Sequence, residues 1–374
     1  MTERQYAFWL GNVEGLGAIR INKLMEHFAS AEEIYKAKKK DLLKINGFGD
    51  KLVESIFLSK NEDVIIREYE QLAIKGINMV LRFEDKYPKK LKYIFDAPYI
   101  LYYKGELPKE DISTIAIIGA RNCSNYGKEI AEYFAGELSK YGVQVISGLA
   151  AGIDTYAHIG VLKKGGKTYG VLGCGVDICY PKNNINIFMN MIENGGVISE
   201  YKPGTLPIAG NFPMRNRIIS GMSDGILVVE AREKSGSLIT VDLGLEQGTN
   251  IYAVPGRIDD KLSTGCNNLI KMGAIPVTNI DDILSELSGE FYTKNNDISM
   301  EEKSEKIIKN KIVLETTTKI VYACLRLEPK HIEDIILETG LELTDTIQAL
   351  FELEGCNLAV QTSNNFYARK KDIW

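Results

Sequence analysis

Two neighbouring stretches decide the fold: Ile115-Ala-Ile-Ile-Gly-Ala-Arg-Asn-Cys-Ser-Asn-Tyr-Gly127 and Val143-Gln-Val-Ile-Ser-Gly-Leu-Ala-Ala-Gly-Ile-Asp154. Each is a short apolar run that stops at a glycine and a cluster of small residues. Between them Ile130, Tyr133, Phe134, Leu138 and Tyr141 recur at helical spacing. A strand, a turn, an amphipathic helix and a second strand make a crossover unit with parallel strands. Outward from this unit the alternation continues. The expected strands are Ile115–Gly119, Val143–Ser147, Thr168–Gly173, Val197–Glu200, Ile226–Glu230, Ile251–Val254 and Ile275–Val277, with aromatic strands Asn78–Phe83 and Tyr99–Tyr103 ahead of them. Buried strands separated by helices predict an α/β fold, a doubly wound, mostly parallel sheet covered on both faces. Ligands of such sheets bind beyond the carboxyl ends of the strands, so the turns there are the place to look for function.

Those turns share a chemistry. Gly119-Ala120-Arg121 follows the first strand but does not continue as GxGxxG, so the dinucleotide fingerprint is not met. Arg121 either grips phosphate with its bidentate fork or braces its own turn. Ser147-Gly148 opens a second small-residue turn, and Gly173-Cys-Gly-Val-Asp177 a third that leads into Tyr180-Pro-Lys182. Arg215 and Arg217 stand at the expected start of a helix, Ile218–Met222, one facing the cleft and the other bracing a strand end. Ser235 and Ser237 offer neutral hydroxyls, Ser237 as the expected N-cap, and Arg257 follows the strand Ile251–Val254. Each turn alone says little; together they make an anion-binding crest on one edge. Tyr126, Tyr180 and Phe212 are stacking candidates that packing would explain equally. His158 reads as a packing residue, and Cys123 as a small packing residue rather than a nucleophile.

The rest of the chain frames this sheet. Gly15-Leu-Gly17 and Gly47-Phe-Gly49 each open a helix, Ala18–Phe28 and Asp50–Ser59, which resembles a pair of helix-hairpin-helix units; a structural bundle is the alternative. Residues 289–310 are polar and charged and read as a linker. Helices Thr317–Leu325, Lys330–Glu338 and Thr344–Leu353, then a hairpin across Ser363-Asn364, read as a winged helix. The expected domains are 1–75, 76–288, a linker 289–312, and 313–374.

In 374 residues, 45% are hydrophobic and 25% charged, the balance of a globular protein, and the length suggests two or three domains. No apolar run approaches the roughly 18 residues that span a bilayer. The N-terminus lacks the pattern of a secretory signal, and six scattered cysteines with three histidines argue against a zinc site, so reduced thiols in the cytoplasm are expected. The net charge of −5 excludes a globally basic nucleic-acid coat, so any polyanion site must be local.

Taken together, Ile115–Arg121, Ser147–Asp154, Leu172–Asp177, Tyr180–Asn184, Phe212-Pro-Met-Arg-Asn-Arg217, Glu230-Ala231, Ser235–Thr240, Gly256-Arg257 and Gly265–Ile270 resemble the DNA-processing protein A family (DprA/Smf) over essentially the whole chain. The resemblance implies an extended Rossmann-like sheet domain, a SAM-like helical domain before it and a winged helix after it. It also implies a non-enzymatic, cytoplasmic homodimer that binds single-stranded DNA, protects it and loads the RecA recombinase during transformation, with no cofactor and no membrane. It points to Arg121 and Lys182 as the residues that hold the strand. The remaining crest candidates are Gly119, Ala120, Ser147, Gly148, Arg215, Arg217, Ser235, Ser237 and Arg257. Ala120 stands where the family commonly has Ser.

Two rival readings stand beside this one. The sheet and Met214–Arg217 also look like the lysine-decarboxylase-like nucleoside monophosphate phosphoribohydrolases. Those need a glutamate after Pro-Gly-Gly-x-Gly-Thr; here the segment from Glu230 lacks that element, and Leu243 stands where the acid belongs. A mononucleotide- or cofactor-binding carrier is the other. In the tail, from Glu315 to Glu354, nine acids face three bases, and Thr344–Leu353 has no base, so this winged helix is not expected to read duplex DNA. Protein contact or autoinhibition over the crest is expected instead.

Overall fold

The computed structural model describes residues 1–287, 316–356 and 358–370. The chain divides into two compact units, Met1–Ser288 and Gly289–Trp374. The expected linker, 289–312, lies outside the described residues.

The first unit is built on nine strands: β1 (Asn78–Leu81), β2 (Ile100–Gly105), β3 (Thr114–Ile118), β4 (Gln144–Ser147), β5 (Thr168–Val171), β6 (Gly195–Ser199), β7 (Gly225–Val228), β8 (Asn250–Ala253) and β9 (Ile275–Pro276). Their order in the sheet is β1-β2-β6-β5-β4-β3-β7-β8-β9. From β6 to β9 all pairs are parallel, while β2 runs antiparallel to β6 and to β1. Every residue of β3 to β7 is buried, as a sheet covered on both faces requires. The pleat alternates between two cores. Met79, Tyr102 and Val197 point into one, and Val80, Leu101 and Ile198 into the other.

Six helices precede the sheet: α1 (Glu3–Gly11), α2 (Ala18–His27), α3 (Ala31–Lys36), α4 (Lys39–Leu42), α5 (Asp50–Leu58) and α6 (Glu62–Ile74). A capping box between Thr2 and Gln5 starts α1. Gly17 and Gly49 cap α2 and α5, and the glycines two residues earlier, Gly15 and Gly47, take φ of 84° and 93°. That left-handed backbone is why the repeat uses glycine. Phe8, Leu10, Ile21 and Ile56 share one core with Ile100, Tyr102 and Val197, so the helices rest directly on the sheet.

Eight further helices connect or flank the strands: α7 (Lys89–Lys92), α8 (Asn125–Lys140), α9 (Ile153–Lys163), α10 (Ile185–Glu193), α11 (Asn211–Gly221), α12 (Gly236–Glu246), α13 (Thr264–Lys271) and α14 (Asp281–Leu284). The α8–α9 pair packs backbone to backbone: a Cβ at Gly160 would collide with the Glu132 carbonyl. Helix α11 begins seven residues before the expected Ile218, because Pro213 sits in its first turn, where a missing N–H costs nothing. Arg215 and Arg217 are therefore inside the helix, not at its start.

The second unit has helices Thr316–Cys324, Ile332–Thr339 and Leu343–Gly355 and a three-stranded sheet of Lys330–His331, Phe366–Arg369 and Ala359–Ser363. Val321, Leu325, Ile335, Leu350 and Leu353 form its core. This is the order of a winged helix. Lys330–His331, expected to open the middle helix, instead pairs with Phe366-Tyr367, and the His331 ring caps that helix by accepting from the Glu333 N–H. No helix among the described residues is long and apolar enough to cross a membrane.

Candidate nucleic-acid interface

Because β3 to β8 are parallel, the turns after them meet on one edge. The chain runs outward from β3 through β4 and β5 to β6 and then returns to β7 on the other side of β3, so the switch point lies between the β3 and β7 turns. Backbone bonds close that point tightly. Ala120 N–H donates to Glu230 O at 2.7 Å, and Ile153 N–H donates to Ala120 O at 3.2 Å. A Cβ at Gly119 would lie 2.6 Å from Ile153 Cγ1.

A set of buried polar side chains holds the turns in place. Glu230, 2% exposed, accepts from Ser124 N–H at 2.9 Å and from the Ser124 hydroxyl. Ser124 in turn caps α8, and a Cβ at Gly127 would strike the Glu230 carboxylate. Asp154 accepts from Gly148 N–H at 3.1 Å and Ala150 N–H at 3.4 Å; burial pushes its pKa up, against the pull of Arg215. Asn184 donates to Leu149 O at 3.0 Å and to Thr155 Oγ1 at 2.9 Å, tying the turn after β5 to the turn after β4. Leu149 is buried and held at a φ of 53°, a left-handed conformation these bonds impose.

Several residues expected on the crest belong to this scaffold. Arg215 is 3% exposed and donates to Gly148 O at 2.7 Å and to Val171 O; burial lowers its pKa to about 10, so it stays charged at neutral pH. Arg217 is 4% exposed and fork-bonded to Glu200, with 2.7 Å to each carboxylate oxygen, and Asp96 lies 2.8 Å from its Nε. The expectation that one arginine faces the cleft is thus corrected: α11 is enclosed on both arginine sides, and both guanidinium groups brace the interior. Ser147 is fully buried and donates to Ile117 O at 2.6 Å. The Gly148 N–H is spent on Asp154, and both polar backbone atoms of Ala120 are engaged. Ser235, not Ser237, caps α12; their hydroxyls are 2.7 Å apart and half-buried. Arg257 is exposed but bonded to both carboxylate oxygens of Asp259, at 3.0 and 3.1 Å.

What the scaffold presents to solvent is narrower than the sequence suggested. Arg121 is exposed, its guanidinium carbon 5.6 Å from the centre of the Phe212 ring. Phe212 leans on the bare Cα of Gly173, where a Cβ would come within 2.9 Å, and its ring centre is 5.5 Å from that of Tyr180 at 33°. Tyr180 is 46% exposed. Two residues on, after the cis bond between Tyr180 and Pro181, Lys182 is exposed at the start of a short 3-10 turn. Among the described residues neither Arg121 nor Lys182 is ion-paired. Sequence reading missed Lys128, whose ammonium lies 5.7 Å over the Tyr156 ring where α8 and α9 begin. Its placement in the first turn after Ser124 was the available signal. Asp154 and Asn184 were also missed as organisers, although both lie within quoted motifs.

A guanidinium over one of two tilted rings, with an exposed lysine two residues beyond the second, suits a chain that alternates phosphates with flat bases. His158, by contrast, is fully buried. Thr168 Oγ1 donates to Val145 O, so it accepts from His158 Nδ1–H at 2.7 Å, and burial lowers the histidine pKa to about 3. No cluster of metal-ligating side chains occurs among the described residues.

Comparison with known proteins gives a consistent answer. A family model described as DNA recombination-mediator protein A matches residues 78–288. The chain is 30% identical to Protein Smf of Synechocystis over 99% of this chain and 100% of that protein. It is 38% identical to the DNA processing protein DprA of Streptococcus pneumoniae over 68% of this chain and 97% of that protein. The crystal structure of the Streptococcus pneumoniae DprA superposes with a TM-score of 0.68 at 34% identity, covering 78% of this chain and all of that one. DNA processing protein A of Helicobacter pylori, solved for its single-stranded DNA binding mode, gives a TM-score of 0.51 at 30% identity, covering 56% of this chain and 95% of that one. The sheet, its strand-end turns and a relative alike from end to end agree: the chain belongs to the DNA recombination-mediator protein A family, the DprA/Smf proteins.

Proposed function

We propose that the chain binds single-stranded DNA along the lip formed by Arg121, Phe212, Tyr180 and Lys182, and serves DNA processing during transformation. The observation that carries this is the run of exposed Arg121, half-buried Phe212, exposed Tyr180 and exposed Lys182, with neither cation paired to a carboxylate among the described residues. Arg121 holds phosphate as a bidentate fork and Lys182 as a point charge, and the rings take bases by stacking, which tolerates any sequence. Lys128 extends the cationic lip, and Ser235 and Ser237 supply hydroxyls at the start of α12. Gly119, Ala120, Ser147, Gly148, Arg215 and Arg217 act by fixing this geometry. The Helicobacter pylori relative supports the ligand class.

In this reading the protein is a mediator rather than an enzyme: it shields incoming strand, loads RecA onto it, and works as a cytoplasmic homodimer without a cofactor. The phosphoribohydrolase alternative lacks its acid, since Leu243 stands in that place, and the nearby Glu230 carboxylate is buried against Gly127 and spent on Ser124.

The test is binding of labelled oligonucleotides of graded length at several salt concentrations. Affinity is expected to rise with length. Arg121→Ala and Lys182→Ala each lower it for every sequence and reduce the salt slope by about 0.7 to 1. Phe212→Ala weakens binding by about 1–3 kcal/mol with the slope unchanged. Wild-type affinity and slope in both charge variants would remove the lip from the mechanism.

A further inference from the structure

In a DNA-reading winged helix, the helix in the position of Leu343–Gly355 lies in the major groove. Here its inner side is committed to the core through Thr346, Ala349, Leu350 and Leu353. The solvent side divides into three rows at helical spacing. Leu343, Ile347 and Phe351, four residues apart, are 53%, 48% and 76% exposed. Thr344 and Gln348 form a neutral middle row, and Asp345 and the half-buried Glu352, which accepts from the Thr318 hydroxyl at 2.6 Å, close the far edge. Glu342 stands just before the helix, and residues 343–355 contain no Lys, Arg or His.

Two bases of the same unit are committed elsewhere. Lys330 is ion-paired with Glu338 at 2.7 Å, and the Arg369 guanidinium is stacked 3.8 Å from the centre of the Tyr322 ring. The turn between the two hairpin strands, Asn364-Asn365, is neutral. Duplex phosphates meet carboxylates and an apolar row on this face, the reverse of what counterion release requires.

An exposed apolar row beside a row of acids has a natural complement. We propose that this face docks a basic, amphipathic helical segment of a partner protein. The segment's apolar residues cover Leu343, Ile347 and Phe351, and its Lys or Arg side chains reach Asp345, Glu352 and Glu342. Charge selects this occupant: a second copy of the same helix would set carboxylates against carboxylates, while a basic segment is both attracted and held in register. The proposal is independent of strand binding on the first unit.

The test uses the full chain carrying a photo-crosslinking residue at Gln348, irradiated in extract of the source cells, with the captured segment identified by mass spectrometry. That segment is then synthesised, labelled and titrated with the full chain. A net-positive segment with apolar residues at helical spacing is expected. Its affinity should fall about tenfold or more in Phe351→Ala and in Asp345→Lys. Phe351 is solvent-facing, so the thermal midpoint of Phe351→Ala should stay at the wild-type value, and a duplex of about 20 base pairs should not compete. Four results would overturn the proposal: no crosslink; crosslinks confined to a second copy; a neutral or acidic segment; or affinity indifferent to Phe351→Ala or abolished by duplex.

Discussion

Arg215 and Arg121 carry the same guanidinium into opposite situations. Arg215 gives its protons to the carbonyls of Gly148 and Val171 and sits in the field of the buried Asp154. Removing it strands those acceptors and leaves a buried carboxylate without its counter-charge, so Arg215→Ala should cost about 3–5 kcal/mol of stability by urea unfolding. Arg121→Ala at the exposed lip should stay within about 0.5 kcal/mol of wild type and lose affinity instead. If both variants unfold alike, the division between scaffold and lip fails. His158 supplies a second residue-scale expectation. Its folded pKa of about 3 lies below the 6.5 of a free histidine. Its contribution is therefore complete above pH 6.5 and declines as acid protonates the unfolded chain first. Stability should fall by about 2 kcal/mol between pH 6.5 and pH 5 on account of this group. Asp154 has the opposite sign: its raised pKa makes protonation in more acidic solution favour the fold. Comparing pH profiles with His158→Asn, which keeps a donor for Thr168 and does not titrate, isolates the histidine; identical profiles would refute the assignment.

Among the elements, the start of α8 is the most exacting. Ser124 caps it, Glu230 reaches across from the end of β7, and Gly127 leaves room for that carboxylate. Gly127→Ala should destabilise the protein by about 1–3 kcal/mol through this overlap. It should also weaken strand binding by displacing the turn that carries Arg121. Wild-type stability and affinity in the variant would show the turn to be adaptable. The strands themselves were legible because β3 to β7 are uniformly buried, which writes them as short apolar runs, with β3, β4 and β5 running into a glycine. Helix periodicity likewise located α8. What the sequence could not convey was enclosure. Positions 215 and 217 are about 200° apart on a helix, so one was expected to face outward, yet α7, β5 and neighbouring loops surround α11 on both sides. Pro213 concealed the early start of α11 because a first-turn proline resembles a breaker. The Arg121–Phe212–Tyr180 ladder joins three separate turns; each residue was visible, but their order along the lip depends on the packing of Phe212 over Gly173.

At the scale of the molecule, a net charge of −5 and a cationic lip must coexist, which sets a ceiling on the electrostatic part of binding. Several bases of the first unit are spent on carboxylates, among them Lys167 on Glu106, Lys202 on Glu68, Arg257 on Asp259 and Arg217 on Glu200. Arg121, Lys182 and Lys128 remain at the lip. Single-stranded DNA releases about 0.7 counterion per phosphate neutralised, so these three cations allow a slope of log affinity against log salt of about −2 per chain. The stacking contribution of Phe212 and Tyr180 is insensitive to salt. Measurable affinity should therefore persist at about 0.5 M salt in the wild type and disappear there in Phe212→Ala, while both proteins show the same slope at low salt. Titrations from about 50 mM to 0.5 M salt read both quantities in one series. A slope near −5 would mean that cations beyond the lip bind the strand, and equal high-salt affinity in Phe212→Ala would mean that the rings do not stack on bases.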